Sequence, residues 1–243
     1  MAHGERLIGI HPVREALRAR RRALHRVRIR EGASRREVEE IRALAREAGV
    51  PVEVVRGAEP RFVVELDAGP LPELAVEELA AGAGESARLV ALDEVEDPQN
   101  LGALCRVAEA AGVRGLVLTR RHAPPLSPAV SRASAGALEH LPVARVANLR
   151  RALNHLKSRG YWVLGADVAA AEDLFELPDR LLSGPLVVVL GGEGRGIRAG
   201  VRECLDHRAR IPMAGRVASL NVAAAGAVVL FDLLRRDRAR GKA

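Results

Sequence analysis

The sequence predicts an α/β protein built on a parallel sheet, and three observations support this fold class. Residues 87–243 alternate between short apolar runs and stretches with helical spacing. The run 186–190 is uniformly apolar, as expected of a strand covered on both faces. Gly112 and Gly160 follow helix-like stretches and mark their ends. Such alternation is typical of a parallel sheet with helices on both sides.

Residues 1–66 are predicted to form a separate, small α/β unit. Its strands are expected at 7–10, 24–30 and 52–55, the second because apolar and basic residues alternate along it. Pro12 favours the start of a helix that runs to about residue 20. Ser34 and Glu37 have the spacing of a capping box for a second helix, which ends at Gly49.

Residues 67–86 are rich in Pro, Gly, Ala and Glu, and we interpret them as a linker with room for one short helix. The second predicted domain is 87–243. Its strands are expected at 89–93, 116–118, 161–165, 186–190 and 207–211, with one more inside 134–146. Its helices are expected at 101–111, from a cap at Asn148 to 159, and at 222–234.

The charge balance indicates a nucleic-acid partner. The chain has 38 Lys and Arg against 31 Asp and Glu, a formal net charge of +7, and only Lys157 and Lys242 are lysines. Arginine forks pair with phosphates and stack on bases. Arginines crowd residues 14–30, which favours phosphate contact there. A genome that encodes arginine and alanine everywhere would explain the same excess equally well.

Cysteine usage and hydropathy exclude several classes of protein. Cys105 and Cys204 lack the spacing of a metal or redox motif, so we expect no metal and two reduced packing residues. No stretch near the first residue resembles a signal peptide. The longest apolar run, 222–231, is too short to cross a bilayer. These features predict a soluble, cytoplasmic protein without a membrane partner.

Three segments carry polar or glycine-rich patterns close to where predicted strands end. They read DPQNLG (97–102), GGEGRGI (191–197) and IPMAGRVASLN (211–221). Open α/β sheets bind ligands at this edge. Asn100 lies at a helix mouth, and Glu193 is the carboxylate of a loop whose glycines allow close backbone approach. Ser219 is predicted to be the N-cap of the last helix, where it and Asn221 surround unpaired backbone N–H groups.

Each segment alone also has an ordinary structural explanation. Asn100 could be a simple N-cap and Arg106 a surface arginine. The glycine loop lacks the Gly-Lys-Ser/Thr of a P-loop, and its spacing fits a dinucleotide fingerprint poorly. A dinucleotide-dependent oxidoreductase would need an acidic ribose partner about 20 residues further on, and residues from 211 onward offer none.

DPQNLGALCRVAEAAG, VVLGGEGRGI and IPMAGRVASLNVAAAGAVVLF resemble, in this order, the three motifs of the SpoU (TrmH) branch of the SPOUT methyltransferase superfamily. SAGALEHLPVARVANL (134–149) and LIGIHPVREAL near residue 7 are similar to the RlmB-type members, which methylate a guanosine ribose in large-subunit (23S) ribosomal RNA. The resemblance covers about 1–55 and 87–238. Many relatives carry a His-Gln-Gly segment before the linker, and 57–66 does not.

The resemblance implies a SPOUT-type parallel sheet with a C-terminal trefoil knot, preceded by a small α/β RNA-binding domain that resembles a ribosomal protein. It implies S-adenosylmethionine as cofactor, ribosomal RNA as partner, and a homodimer whose site is completed across the interface, where the small residues 223–226 would allow close packing. By motif position, the catalytic polar residues would be Asn100, Arg106, Glu193, Ser219 and Asn221. The cofactor would contact Gly191, Ile211, Met213 and Leu220.

Two other functions stay open, namely a transfer-RNA ribose methyltransferase and a non-catalytic RNA-binding homologue. The N-terminal unit and 134–149 favour ribosomal RNA, and the intact polar set favours catalysis. RNA specificity is expected in the first domain and in 120–132. The target is expected to be single-stranded or loop RNA, because duplex RNA hides its base edges.

Overall fold

The computed structural model describes residues 4–33, 35–56, 62–82, 84 and 87–241. Ser34 of the predicted capping box and residues 57–61 lie outside the described residues. The chain divides into two compact units. The first comprises Met1–Pro72 and Pro125–His140, and the second comprises Glu73–Pro124 and Leu141–Ala243.

The described elements are the following. The strands are β1 (Glu5–Ile8), β2 (Leu24–Arg30), β3 (Val52–Val55), β4 (Val64–Ala68), β5 (Arg88–Asp93), β6 (Gly115–Thr119), β7 (Val143–Val146), β8 (Trp162–Ala166), β9 (Glu172–Asp173), β10 (Leu186–Gly191) and β11 (His207–Arg210). The helices are α1 (Ile10–Ala19), α2 (Arg35–Glu47), α3 (Val76–Ala80), α4 (Pro98–Ala110), α5 (Pro128–Ala133), α6 (Leu149–Ser158), α7 (Asp179–Leu182), α8 (Ala199–Arg202) and α9 (Val222–Ala239). Two 3-10 helices, Ala137–Glu139 and Leu174–Glu176, complete the description.

The first unit holds a four-stranded sheet in the order β1-β4-β2-β3. The sequence analysis did not predict β4, which pairs antiparallel with both β1 and β2. Its alternate residues Val64, Leu66 and Ala68 are buried, whereas Glu65 and Asp67 point to the opposite face. Two carboxylates in a five-residue strand conceal the apolar alternation, and the predicted linker begins at 67, inside this strand.

Arginines of the first unit are held by carboxylates that come from other elements. Arg28 binds Asp67 at 2.7 Å, and Arg26 binds Glu53 at 3.1 Å. Arg18 bridges to Glu40 at 2.7 Å. The crowding of arginines in 14–30 therefore reflects ion pairing as well as a basic surface. The acids lie far from 14–30 in sequence, so the charge run alone does not reveal the pairing.

A segment that lies between β6 and β7 in the chain packs into the first unit. Arg22 donates through Nη2 to Glu139 Oε1 at 3.0 Å, and Ser131 Oγ donates to the same oxygen at 2.7 Å. The side chains of Arg22 and Glu139 are 0% and 1% exposed. Burial raises the pKa of Glu139 above its ordinary value, although Arg22 and Ser131 oppose that shift. Removing one partner of such a buried pair costs about 3–5 kcal/mol.

The second unit holds a seven-stranded sheet in the order β7-β6-β5-β10-β8-β11-β9. Every strand pair in it is parallel, which confirms the predicted parallel sheet. One face of the sheet packs against α3, α6 and α8 through a core that includes Leu89, Val187 and Leu153. On the other side α4 and α9 pack together, and a Cβ at Gly226 would collide with the Leu104 side chain. Gly226 thus serves packing within this chain.

The predicted strands lie within two residues of the observed ones. The helix predicted at 222–234 continues to Ala239, where Arg236 binds Asp232 at 2.7 Å in i,i+4 spacing. Asn148 caps α6 as predicted, because its Oδ1 accepts from the Arg151 N–H at 3.0 Å. Among the helices described, none is both long and apolar enough to span a membrane.

Candidate active site

The three polar segments meet at the carboxyl edge of the second sheet. Asn100 Nδ2 donates to Glu193 Oε1 at 2.9 Å, and Asn221 Nδ2 donates to the same oxygen at 2.9 Å. Asn221 Nδ2 also lies 2.8 Å from Asn100 Oδ1. Residues from α4, from the loop after β10 and from the start of α9 therefore form one hydrogen-bonded cluster, which we call the polar triad: Asn100, Glu193 and Asn221.

Helix caps fix two members of the polar triad. Asp97 caps α4 by accepting from the Gln99 N–H at 2.9 Å, which starts the helix three residues before the predicted start and puts Asn100 in its first turn. Asn221 caps α9, and its Oδ1 accepts from the N–H of Ala223 at 2.9 Å. The prediction of Ser219 as this cap was wrong, because α9 begins at Val222 and the cap is the residue directly before it.

The loop after β10 carries Glu193 to the polar triad. The Gly192 N–H donates to the Asp93 carbonyl at 2.8 Å, and the Gly196 N–H donates to the Gly192 carbonyl at 3.0 Å. A Cβ at Gly192 would collide with the carbonyl oxygen of Glu94, so the close approach of the two chains requires glycine. Glu94 itself has φ +60°, a left-handed conformation that is uncommon outside glycine and clusters at functional sites.

An ion pair that the sequence analysis missed fastens the other end of this loop. The Asp93 side chain is 0% exposed, and its Oδ1 accepts from Arg198 Nε at 2.9 Å and Nη2 at 2.6 Å. Its Oδ2 accepts from the Arg198 backbone N–H at 2.8 Å. The hydrogen bond to Asp93 raises the pKa of the Arg198 guanidinium. The residues are 105 positions apart, so the sequence alone gave no reason to pair them.

Beside the polar triad lies a cavity of about 420 Å³ over the ends of β8, β10 and β11. It is lined by all four predicted cofactor residues and three of the predicted catalytic residues, namely Gly191, Ile211, Met213, Leu220, Glu193, Ser219 and Asn221. Ala166, Asp167 and Val168 also line it, and the sequence analysis did not select them. Their position directly after a predicted strand was the available signal, because ligands bind at that edge.

Arg106 does not join the polar triad. It is exposed on α4, six residues beyond Asn100 and so about 120° around the helix from it. Within the described part of the chain, no side chain or backbone carbonyl binds its guanidinium. The structure therefore brings four of the five predicted catalytic residues to the cavity or its rim and leaves Arg106 facing solvent.

The arrangement offers an apolar cavity with a few fixed polar groups, as ligand sites do. Its lining includes the carboxylates of Glu193 and Asp167, which suit a ligand with positive charge or hydroxyl groups. No group of three or more His, Cys, Asp or Glu in the described ranges could hold a metal ion.

Comparison with known proteins places this geometry in a family. Residues 87–231 match the SpoU rRNA Methylase family, and residues 6–59 match the domain described as RNA 2'-O ribose methyltransferase substrate binding. The chain is 36% identical to the 23S rRNA (guanosine-2'-O-)-methyltransferase RlmB of Pseudomonas syringae, over 100% of both chains. It is 34% identical to the Pseudomonas putida RlmB, over 99% of this chain and 100% of the other.

Solved structures agree with this placement. A rRNA methyltransferase from Sinorhizobium meliloti with bound AdoMet superposes with a TM-score of 0.78 at 26% identity, over 96% of this chain and 87% of the other. The SpoU methyltransferase AviRb from Streptomyces viridochromogenes gives a TM-score of 0.82 at 24% identity, over 98% and 91% of the two chains, which supports the fold.

Proposed function

The chain belongs to the SpoU rRNA methylase family, and on this basis we propose that it transfers a methyl group from S-adenosylmethionine to the ribose 2′ oxygen of a guanosine in 23S ribosomal RNA. Relatives named for this reaction match over the whole chain. The observation that carries the proposal is the polar triad, which joins the three motif segments beside one cavity.

The cavity fits S-adenosylmethionine in size and chemistry. Its volume of about 420 Å³ lies within the range of about 300–1,000 Å³ of small-molecule sites. Apolar side chains such as Ile211 and Leu220 offer a surface for the adenine, and backbone at Gly191 offers hydrogen bonds at close range. Met213 lines the same cavity. When bound, the cofactor supplies a methyl group on a sulfonium, which is a good leaving group.

The chain must then align the ribose hydroxyl with that methyl group. Alignment of this kind is worth about 7–11 kcal/mol in favourable cases. Glu193 Oε1 already accepts two amide hydrogen bonds, whereas its Oε2 accepts none from the described residues. We assign Oε2 to the ribose and assign Asn100 and Asn221 to holding the carboxylate in place. Ser219 lines the cavity wall next to them.

Arg106 is assigned to the RNA. A guanidinium that no group of its own chain neutralises can bind a phosphate and the 2′ hydroxyl together. It is a poor general base because its pKa lies above about 12, so a substrate phosphate or an ordered water takes the proton. Replacing Arg106 with Ala should leave the calorimetric affinity for S-adenosylmethionine unchanged while turnover collapses. Unchanged turnover would refute this role.

We further propose that the active enzyme is a homodimer. Arg106 lies away from the polar triad of its own chain, so a second copy could bring its Arg106 to that triad and complete the site. Exposed apolar side chains near the motifs support an interface of this kind: Phe231 is 46% exposed and Val217 is 70% exposed. We also propose that the segment carrying residues 211–221 passes through a loop to form the trefoil knot implied by the family resemblance.

The proposed division of labour follows the sequence domains. Residues 1–66 bind the RNA substrate as a small domain that resembles a ribosomal protein, 67–86 link the domains, and 87–243 carry the methyltransferase. The substrate-binding match over residues 6–59 supports the first assignment. A ribosomal RNA substrate implies that the enzyme works in the cytoplasm.

The nearest alternative is methylation of transfer RNA. It stays relevant because a Bacillus subtilis relative, 34% identical over 97% of both chains, carries a provisional name that leaves tRNA and rRNA open. Purified protein should be incubated with S-adenosylmethionine and either 23S ribosomal RNA or transfer RNA, both unmodified, followed by nucleoside mass spectrometry. We expect 2′-O-methylguanosine from the ribosomal RNA. Product from transfer RNA alone would favour the alternative, and no product would favour a non-catalytic homologue.

A further inference from the structure

We propose that Asp167 binds the ribose hydroxyls of the adenosine part of S-adenosylmethionine, an inference that rests on the function proposed above. Asp167 follows β8 directly and lines the cavity together with Ala166 and Val168. β8 lies between β10 and β11 in the sheet. Asp167 therefore sits between the two motif segments that form the rest of the cavity wall.

The Asp167 carboxylate has one satisfied oxygen and one unsatisfied oxygen. Oδ1 accepts from the Ala169 N–H at 3.0 Å, which forms a side-chain turn after the strand. Oδ2 is buried and accepts no hydrogen bond from the described residues. The whole side chain is 9% exposed. Buried polar atoms almost always have a partner, so this oxygen is explained by a donor that a bound ligand supplies.

The surrounding charges favour a neutral donor over a cation. Arg202 Nε lies 3.9 Å from Oδ2 and Arg208 Nη1 lies 3.7 Å from it, too far for hydrogen bonds but close enough to balance the charge of Asp167. A carboxylate already balanced by two guanidiniums gains little from a sulfonium or an ammonium. It still has an oxygen ready to accept from a hydroxyl, and acidic residues at strand ends bind ribose hydroxyls in other α/β folds.

The other carboxylate that lines the cavity is committed elsewhere. Glu193 Oε1 holds two amides of the polar triad, and its free oxygen is assigned to the substrate ribose. The two carboxylates thus divide two sugars between them, with Glu193 on the ribose that is methylated and Asp167 on the ribose of the methyl donor.

The test measures binding by calorimetry with S-adenosylhomocysteine and its 2′-deoxy and 3′-deoxy analogues, whose neutral sulfur removes any sulfonium attraction. In the unaltered protein, removal of at least one hydroxyl should weaken binding about tenfold or more, since hydrogen bonds to charged groups contribute about 1.5–3 kcal/mol. In Asp167→Ala the parent compound should bind about tenfold more weakly, and the loss caused by removing the hydroxyl should shrink to less than threefold.

A second variant and a matched control separate binding from folding. Asp167→Asn retains an oxygen for the Ala169 N–H, so it keeps the turn if Asp167→Ala unfolds, and it should also weaken the parent compound. Asp173→Ala removes a carboxylate that accepts from the Phe175 N–H at 2.9 Å but does not line the cavity, and its affinity should be unchanged. A hydroxyl effect of equal size with and without Asp167 would overturn the inference. Failure of the unaltered protein to bind S-adenosylmethionine would instead refute the proposed function.

Discussion

Replacement of Asn221 separates the capping of α9 from the geometry of the polar triad. The side chain does both: Oδ1 accepts from the Ala223 N–H at 2.9 Å and the Ala224 N–H at 3.4 Å, while Nδ2 donates to Glu193 and Asn100. Serine at this position can keep the cap but has no amide to hold the carboxylate. Alanine loses both functions.

The expected magnitudes differ between the two variants. Loss of an N-cap costs about 0.5–2 kcal/mol, and the 3.4 Å bond adds little, so Asn221→Ala should lower the free energy of unfolding by about 1 kcal/mol. Asn221→Ser should lower it by a few tenths of a kcal/mol, because serine caps nearly as well as asparagine. Both variants should lose about 100-fold or more in kcat, since a displacement of about 1 Å at a reacting group costs that much.

The assay pairs urea denaturation with methyl transfer to 23S ribosomal RNA. Asn148→Ala is the matched control, because Asn148 caps α6 through one hydrogen bond to the Arg151 N–H and lies outside the cavity. It should lose about 1 kcal/mol of stability with no change in kcat. If Asn221→Ser keeps full kcat, the amide of Asn221 does not position Glu193 and the reasoning fails.

Three further predictions follow from the site and its supports. Gly192→Ala should abolish measurable S-adenosylmethionine binding by calorimetry, because its Cβ would collide with the Glu94 carbonyl, whereas Gly200→Ala, with open space around it, should bind normally; equal binding by both would contradict the close approach. Arg198→Ala should destabilise the chain to urea by about 3 kcal/mol, since it leaves a buried carboxylate without its charged partner; a loss under about 1 kcal/mol would show that the pair is not needed. Burial raises the pKa of the Cys105 thiol from 9.0 to about 12. The folded chain thus favours the protonated thiol, so this stabilisation should be complete below about pH 9 and lost as the pH approaches 12. Alkylation at pH 8 should reach Cys105 only after unfolding, and rapid labelling of the folded protein would contradict its burial.

The sequence predicted the second sheet well because its strands are uniformly apolar and its helices have clear caps. Asn148 and the apolar run at β10 are examples in which the local signal and the fold agree. β4 was missed because two of its residues are carboxylates that pair with arginines of the sheet. Its burial depends on partners that are distant in sequence, and no local pattern encodes them.

The candidate site shows the same division. The polar triad residues were chosen from motifs, and the structure joins them by hydrogen bonds. The ion pair between Asp93 and Arg198 was not predicted, because it depends on the register of β5 against β10. Ser219 was chosen as a cap from its residue type, but α9 starts only at Val222 and so takes Asn221 as its cap.

The central claim is that one cavity holds a methyl donor beside the sugar hydroxyl of a ribosomal RNA guanosine. The most direct test is to map ribose methylation across 23S ribosomal RNA from cells with and without this gene, by resistance of the RNA backbone to alkaline cleavage. The account predicts that protection after one guanosine disappears in the cells without the gene and returns when the unaltered chain is supplied. Identical protection patterns in the two RNAs would contradict it.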